Sequence, residues 1–232
     1  MSSIRYFALI PTKSTELKQI TKDLLSYLAK TGVDVILLPN KKSIFGAYEQ
    51  GLNLIKEKGA QPNDIVILCH DDIEIMNSPE HFRENLHVLS QNYKLGFAGP
   101  AGTTYLGDNA IWWDHQVWKE GHHSGFVLHG TKFNQHSTYY GEYRRVVVLD
   151  GLFLAARYQT LNNIKIQRPE SFLGLWDFYD LYYTMQAHKL GLHNTTMPFF
   201  IRHESMGELA GRESWHMNRE AFKAMYQLPE RI

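Results

Sequence analysis

Asp64-Ile-Val-Ile-Leu-Cys-His-Asp-Asp72 is the stretch whose reading decides the fold. Residues 64–69 read as a short strand, continuously apolar after Asp64, the pattern of a strand covered by helices on both faces. The run empties directly into Asp71 and Asp72. Two carboxylates crowded at a sheet edge are unfavourable without a cation beside them. A hard divalent ion such as Mg²⁺ or Mn²⁺ takes oxygen ligands and keeps positions open for phosphate oxygens. An aspartate that only closes a turn or caps a helix gives the same local sequence.

Upstream of this stretch, strands alternate with helices. Residues 5–11 read as a buried strand. Ser14 or Thr15 then caps a helix with Leu17, Ile20, Leu24, Leu25 and Leu28 on one apolar face, and Gly32 stops it. Residues 33–38 form a second strand ending at Pro39-Asn40, and residues 43–58 a second helix closed by Gly59. The β-α-β-α-β order implies a parallel sheet, with ligands collecting beyond the carboxyl ends of its strands. Asn40 and His70-Asp71-Asp72 occupy two such ends.

Downstream, residues 96–143 are rich in Gly, His and aromatics without sustained periodicity. They read as short strands and loops walling a cleft. Residues 144–157 return to a strand interrupted at Asp150-Gly151. Residues 177–190 read as a helix ended by Gly191, residues 194–202 as a strand delivering His203, and residues 212–225 as a helix folding back over the cleft. Asp177 and Asp180, three apart, then share a face of the first helical turn. The helix dipole alone would favour carboxylates there; in an aromatic cleft one of them could also serve as a general base. His203 at a strand end could complete a metal sphere opened by Asp72, or simply hydrogen-bond at the surface. His115, His122, His123, His129 and His136 match no zinc-ligand spacing. Among the aromatics, Trp112, Trp113, Trp118, Tyr139 and Tyr140 are packing residues of which a few could stack on a sugar ring.

Composition narrows the field. The 24 basic residues balance 24 acidic ones, which gives no sign of a nucleic-acid partner. With 44% hydrophobic and 13% aromatic residues, the 232-residue chain can bury a large core in one domain. Cys69 is the single cysteine, so no intrachain disulfide can form. The first residues lack the apolar core of a signal peptide, and no apolar run approaches the ~18 residues that span a bilayer. The expectation is a soluble cytoplasmic protein without an integral membrane segment, with any membrane contact peripheral. No GxGxxG, GxxxxGK[ST] or GxSxG motif is present.

Five segments in order resemble the family-2-like glycosyltransferases of GT-A fold, most of all the streptomycin-biosynthesis-type branch. They are Ser43-Ile-Phe-Gly-Ala-Tyr-Glu-Gln-Gly51, Val66-Ile-Leu-Cys-His-Asp-Asp-Ile-Glu74, Gly96-Phe-Ala-Gly-Pro100, Val148-Leu-Asp-Gly-Leu-Phe-Leu154, and Phe178-Tyr-Asp-Leu181 running on to Gly191 and His203. The resemblance implies a Rossmann-like α/β/α sandwich with a mainly parallel central sheet and a smaller acceptor-side region. It implies a nucleotide-sugar-binding half over residues 1–100 and an acceptor-side, catalytic half over residues 101–232 of a single domain. The activity implied is metal-dependent, inverting transfer from a nucleotide-diphosphate sugar, usually uridine-linked, to a glycan or other hydroxyl acceptor. Site roles follow by position. Pro11, Asn40, His70, Asp71, Asp72, Asp150 and Gly151 would contact the donor. Asp72 and His203 would hold Mn²⁺ or Mg²⁺. Asp180 matches the catalytic aspartate, with Asp177 its rival. The chain departs from the pattern at three places: His70 stands where the first carboxylate of the metal motif usually is, Glu49 where an Asn is usual, and Tyr179 where a Glu usually precedes the base. The alternatives are a catalytically degenerate domain that binds nucleotide or glycan, and a nucleotidyltransferase. The latter would need a Gly-rich loop after the first strand, where Pro11-Thr-Lys-Ser-Thr15 stands instead.

Overall fold

The computed structural model describes residues 3–205 and 212–232. In chain order the elements begin with β1 (Tyr6–Pro11), α1 (Gln19–Lys30), β2 (Asp34–Leu38), α2 (Ile44–Glu57), β3 (Ile65–Cys69), β4 (Ile73–Ile75) and α3 (Pro79–Gln91). Next come β5 (Leu95–Gly99), β6 (Ala101–Thr103), β7 (Tyr105–Leu106), α4 (His115–Lys119), β8 (His123–Thr131), β9 (Asn134–Gly141), β10 (Arg145–Val146) and β11 (Val148–Leu149). The last elements are β12 (Phe153–Arg157), α5 (Tyr158–Asn163), α6 (Tyr179–Lys189), β13 (His193–Thr196), β14 (Ile201–His203), α7 (Glu213–Met225) and β15 (Glu230–Arg231).

The central sheet runs β10-β13-β5-β12-β3-β1-β2. β1, β2, β3, β5 and β13 point the same way, and β12 and β10 oppose them, so the sheet is mostly parallel. Register shows that helices cover both faces. Leu9 pairs with Leu68, so the two share one face, and an added Cβ at Gly51 of α2 would touch Leu9 and Leu38. Phe153 pairs with Cys69 on the opposite face and packs on Phe82 of α3 at 6.1 Å. Every residue of β3 is buried, as a strand between two helical layers must be. The chain is thus the mixed α/β sandwich expected. A second sheet, β11-β6-β8-β14-β4 with β9 on β8, stands beside it. Among the described residues, no helix is long and apolar enough to cross a membrane.

Several expected boundaries move. α1 starts at Gln19 rather than after Ser14 or Thr15. Hydroxyls hold the intervening loop in turns: Thr12 Oγ1 accepts from Ser14 N at 3.2 Å and Ser14 Oγ from Glu16 N at 3.0 Å, which competes with helix formation. The expected strand over residues 144–157 is three short strands, with β11 in the small sheet between β10 and β12 in the large one. The one over residues 194–202 likewise divides at Pro198 into β13 and β14, which serve different sheets. Residues 96–143 hold a long antiparallel hairpin, β8–β9, as well as short pieces. α3 has no counterpart in the sequence reading, although Ser78 caps it and Pro79 opens it.

The largest shift is at α6. α6 begins at Tyr179, because Phe178 takes a left-handed conformation (φ 66°). Its ring is thereby buried against Trp215 and Phe222 of α7, at 5.3 and 5.7 Å, which offsets the backbone strain. Asp177 therefore lies before the helix and does not share a first-turn face with Asp180.

Candidate active site

A cleft of about 720 Å³ opens where the carboxyl ends of β1 and β3 meet the start of β12, the side of an open α/β sheet on which ligands bind. Pro11 closes β1, His70, Asp71 and Asp72 follow β3, and Asp150-Gly151 precede β12; all six line the cleft. His203 comes from the other sheet. β14 pairs with β4 so that His203 faces Ile73, and Glu204 N donates to Asp72 O at 2.9 Å. Arg202, buried, fixes that register by donating to Glu74 Oε2 at 2.7 Å and to the Gly130 carbonyl at 2.8 Å.

Three side chains converge on the cleft floor. His203 Nε2 is 3.3 Å and His70 Nδ1 3.8 Å from Asp72 Oδ1, and the two ring nitrogens are 3.4 Å apart. One ligand atom from each lies within 4.8 Å of the others. Two imidazole nitrogens and a carboxylate oxygen with an open side toward the cleft form a fitting donor set for a divalent transition ion. The sequence reading placed Asp72 and His203 here and gave His70 to the donor; geometry brings all three together.

The electrostatics are those of a polarised triad. Burial opposes ionisation of Asp72, yet the hydrogen bond from His203 and the nearby imidazoles hold its carboxyl at about 2. Burial disfavours a charged His203, but the bond to Asp72, with Asp72 and Asp150 as neighbouring charges, raises it above its ordinary value. Burial and the adjacent His203 lower His70 to about 4, leaving a neutral ring at neutral pH. Asp71 is raised by burial and by Asp72, and its carbonyl accepts from Thr21 Oγ1 at 2.8 Å.

Beside the triad sit two carboxyls. Asp180 accepts from Gly151 N at 3.0 Å through Oδ2, and burial followed by the negative charge of Asp150 pushes it up to about 7. Asp150 is itself raised, chiefly by burial, while its Oδ1 accepts from Leu152 N at 3.3 Å. A carboxyl poised near neutrality in a cleft is suited to proton transfer. Asp177 is bound differently. Its Oδ2 accepts from Ser214 Oγ at 2.8 Å, its Oδ1 lies 3.4 Å from Arg212 Nη1, and its carbonyl accepts from Asn218 Nδ2 at 2.9 Å. Those bonds tie it to α7. Asn40 is exposed, takes φ 53°, and is not among the cleft-lining residues.

Cations and aromatics complete the walls. Lys13, Lys18 and Arg212 line the cleft, with Lys13 Nζ 4.6 Å from the centroid of Trp176. Trp176 is fixed by donating Nε1–H to the Lys42 carbonyl at 2.7 Å. Trp113 packs on Trp215 at 5.9 Å, and Trp112 on Tyr140 at 5.4 Å. His129 also faces the cleft, 6.5 Å from the His203 ring. Sequence reasoning gave no site role to Lys13, Lys18, Arg212, Tyr179 or His129. Lys13 and Lys18 follow a strand end and were within reach of the carboxyl-end rule; the others come together only through tertiary structure.

Comparison with known proteins bears on this geometry. The profile described as a glycosyltransferase-like family matches residues 17–218. No curated protein matches the chain. Among solved structures, GalNAc-T7 with UDP, GalNAc and Mn²⁺ is similar over 96% of this chain and 48% of its own, at 11% identity and a TM-score of 0.55. This chain thus spans about half the length of that protein, and the likeness is one of fold. The A197 protein from STIV (12% identity, 84% of this chain and 82% of that one, TM-score 0.48) and the inositol-1-phosphate CTP transferase from T. maritima (12%, 94% and 97%, 0.41) are more distant in shape.

Proposed function

The chain belongs to the glycosyltransferase-like family, and from that premise we propose that it transfers a sugar from a nucleoside-diphosphate donor, UDP-linked, to a hydroxyl of a glycan or other acceptor, with inversion. The observation that carries this reading is the pairing, in one cleft, of the His70–Asp72–His203 donor set with a carboxyl held near neutrality at Asp180. The solved relative bound to UDP and Mn²⁺ supports the choice of nucleotide and ion.

His70, Asp72 and His203 would hold the divalent cation. Bound there, it supplies positive charge against the diphosphate. Two nitrogen donors favour Mn²⁺ over Mg²⁺, which prefers an all-oxygen shell. Lys13, Lys18 and Arg212 add positive charge around the same floor, suited to phosphate oxygens. Asp180, once ionised, takes the proton of the acceptor hydroxyl as its oxygen attacks the anomeric carbon. The bond from that carbon to the phosphate oxygen breaks, and its electron pair leaves with the diphosphate. Attack from the face opposite the leaving group inverts the centre. Trp113 and Trp215 offer an aromatic platform for the C–H face of an acceptor ring.

The test is a donor panel. Purified chain with Mn²⁺ is incubated with UDP-, GDP- and dTDP-sugars and mixed hydroxyl acceptors, and nucleoside diphosphate release and the product anomer are followed by NMR. Release of UDP with an inverted glycoside, slowed by about 10²–10⁴-fold in Asp180→Asn, is the expected result. Silence with every donor would contradict the reading.

A further inference from the structure

Two of the places where the chain departs from its family's pattern touch each other. His70 Nε2 lies 2.7 Å from the hydroxyl of Tyr179, and that hydroxyl donates to the carbonyl of Gly151 at 2.8 Å. From this contact we infer that Tyr179 is a positioning residue for the metal site: it fixes the tautomer and orientation of His70, and so turns a histidine into a cation ligand where the pattern has a carboxylate.

Hydrogen-bond accounting fixes the tautomer of His70. A tyrosine hydroxyl has a single proton to give. The Gly151 carbonyl can only accept, and Tyr179 is buried, so the proton goes to that carbonyl. Toward His70 the hydroxyl then offers only a lone pair, so Nε2 must carry the ring proton. In a neutral imidazole the other nitrogen, Nδ1, is left with its lone pair. Nδ1 is the atom that faces Asp72 and His203, at 3.8 and 3.4 Å. Were the tautomer reversed, an N–H would occupy the ligand position.

The relay is held rigidly. His70 N donates to the Leu152 carbonyl at 3.1 Å, binding the end of β3 to the turn that carries Gly151. The Tyr179 ring packs among Phe45, Tyr48 and Tyr183 at 6.4, 5.9 and 6.1 Å. Gly151 makes the approach possible, since a Cβ there would stand 2.3 Å from the tyrosine oxygen. A hydrogen-bonded partner on the outer nitrogen of a ligating histidine orients it and raises its basicity, and its loss commonly costs 10–100-fold in metal affinity.

This inference rests on the metal reading above, and its test separates the two. Nitrogen-15 NMR of imidazole-labelled, metal-free protein, with His70 assigned by its loss in His70→Gln, should show Nε2 protonated and Nδ1 bare. Tyr179→Phe should scramble that signature, and titration with Mn²⁺ alone should show affinity reduced by tenfold or more. Protonation of His70 at Nδ1 in the wild-type chain, or Mn²⁺ affinity in Tyr179→Phe within twofold of wild type, would overturn the assignment. A wild-type chain that ignores Mn²⁺ would overturn the metal reading, while the tautomer, measured without metal, still decides the role of Tyr179.

Discussion

Asp72 and His203 meet at 3.3 Å because two strands of different sequence neighbourhoods, β4 and β14, pair in one register. Without a cation the pair acts as its own counter-charge. His203 is raised above its ordinary value and Asp72 held at about 2. The sign of the pH effect follows. The stabilisation from His203 is present below its unfolded value of about 6.5 and is lost as pH rises through its raised folded value. The stabilisation from Asp72 is present above about 3.9 and lost as pH falls toward 2.

On the proposed reading, Mn²⁺ bound at His203 competes with a proton that the Asp72 carboxylate favours there. Mn²⁺ affinity should therefore rise with pH across the neutral range, and binding should release a proton, seen as a dependence of titration heat on the buffer's ionisation enthalpy. An affinity flat between pH 5.5 and 8 would show that His203 is not a ligand.

Asp180 should limit activity on the acid side, with the rate rising through a pH of about 7. After burial, the charge of Asp150 is the main reason the value is high. Asp150→Asn should thus move the acid limb to lower pH, whatever it does to the maximum rate. Asp180→Asn should lower kcat by about 10²–10⁴-fold. A pH profile unmoved by Asp150→Asn would separate the two carboxyls.

Gly151→Ala tests the tightness of the turn. The added carbon would stand 2.3 Å from Tyr179 Oη and 2.7 Å from Asp180 Cβ. Overpacking of this kind costs about 1–3 kcal/mol, read as a lower midpoint in chemical denaturation. Wild-type stability in this variant would mean the helix start of α6 yields freely.

Asp177→Asn should behave as an anchor variant. Its carboxylate and carbonyl hold Ser214, Arg212 and Asn218, so hydrogen exchange along α7 should speed up. The acid limb near pH 7 should persist. Disappearance of that limb would make Asp177 the base instead.

The front of this fold is legible in sequence because its signals are local. Residues 65–69 are apolar throughout, Ser43 caps α2, and Gly32, Gly59 and Gly191 mark helix ends with positive φ. Beyond residue 143, where the reading slipped, a non-local partner had decided the geometry; the late start of α1 is local, set by the Thr12 and Ser14 hydroxyls. Phe178 leaves the helix to pack on α7, and the segments ending at Val148–Leu149 and Ile201–His203 change sheets to find their partners. The site followed the same division. Asp72 and His203 announce themselves at strand ends. The approach of His70 to Asp72 and His203, and its bond to a tyrosine brought up by α6, are not encoded by spacing along the chain.

The central claim is a nucleoside-diphosphate site built on a metal at the cleft floor, and calorimetric titration with UDP reads it directly. Purified chain is titrated with and without Mn²⁺, in parallel with Asp72→Ala. UDP binding that requires Mn²⁺ and vanishes in the variant is the predicted result. UDP binding of equal strength with and without the ion, undiminished in Asp72→Ala, would contradict the account.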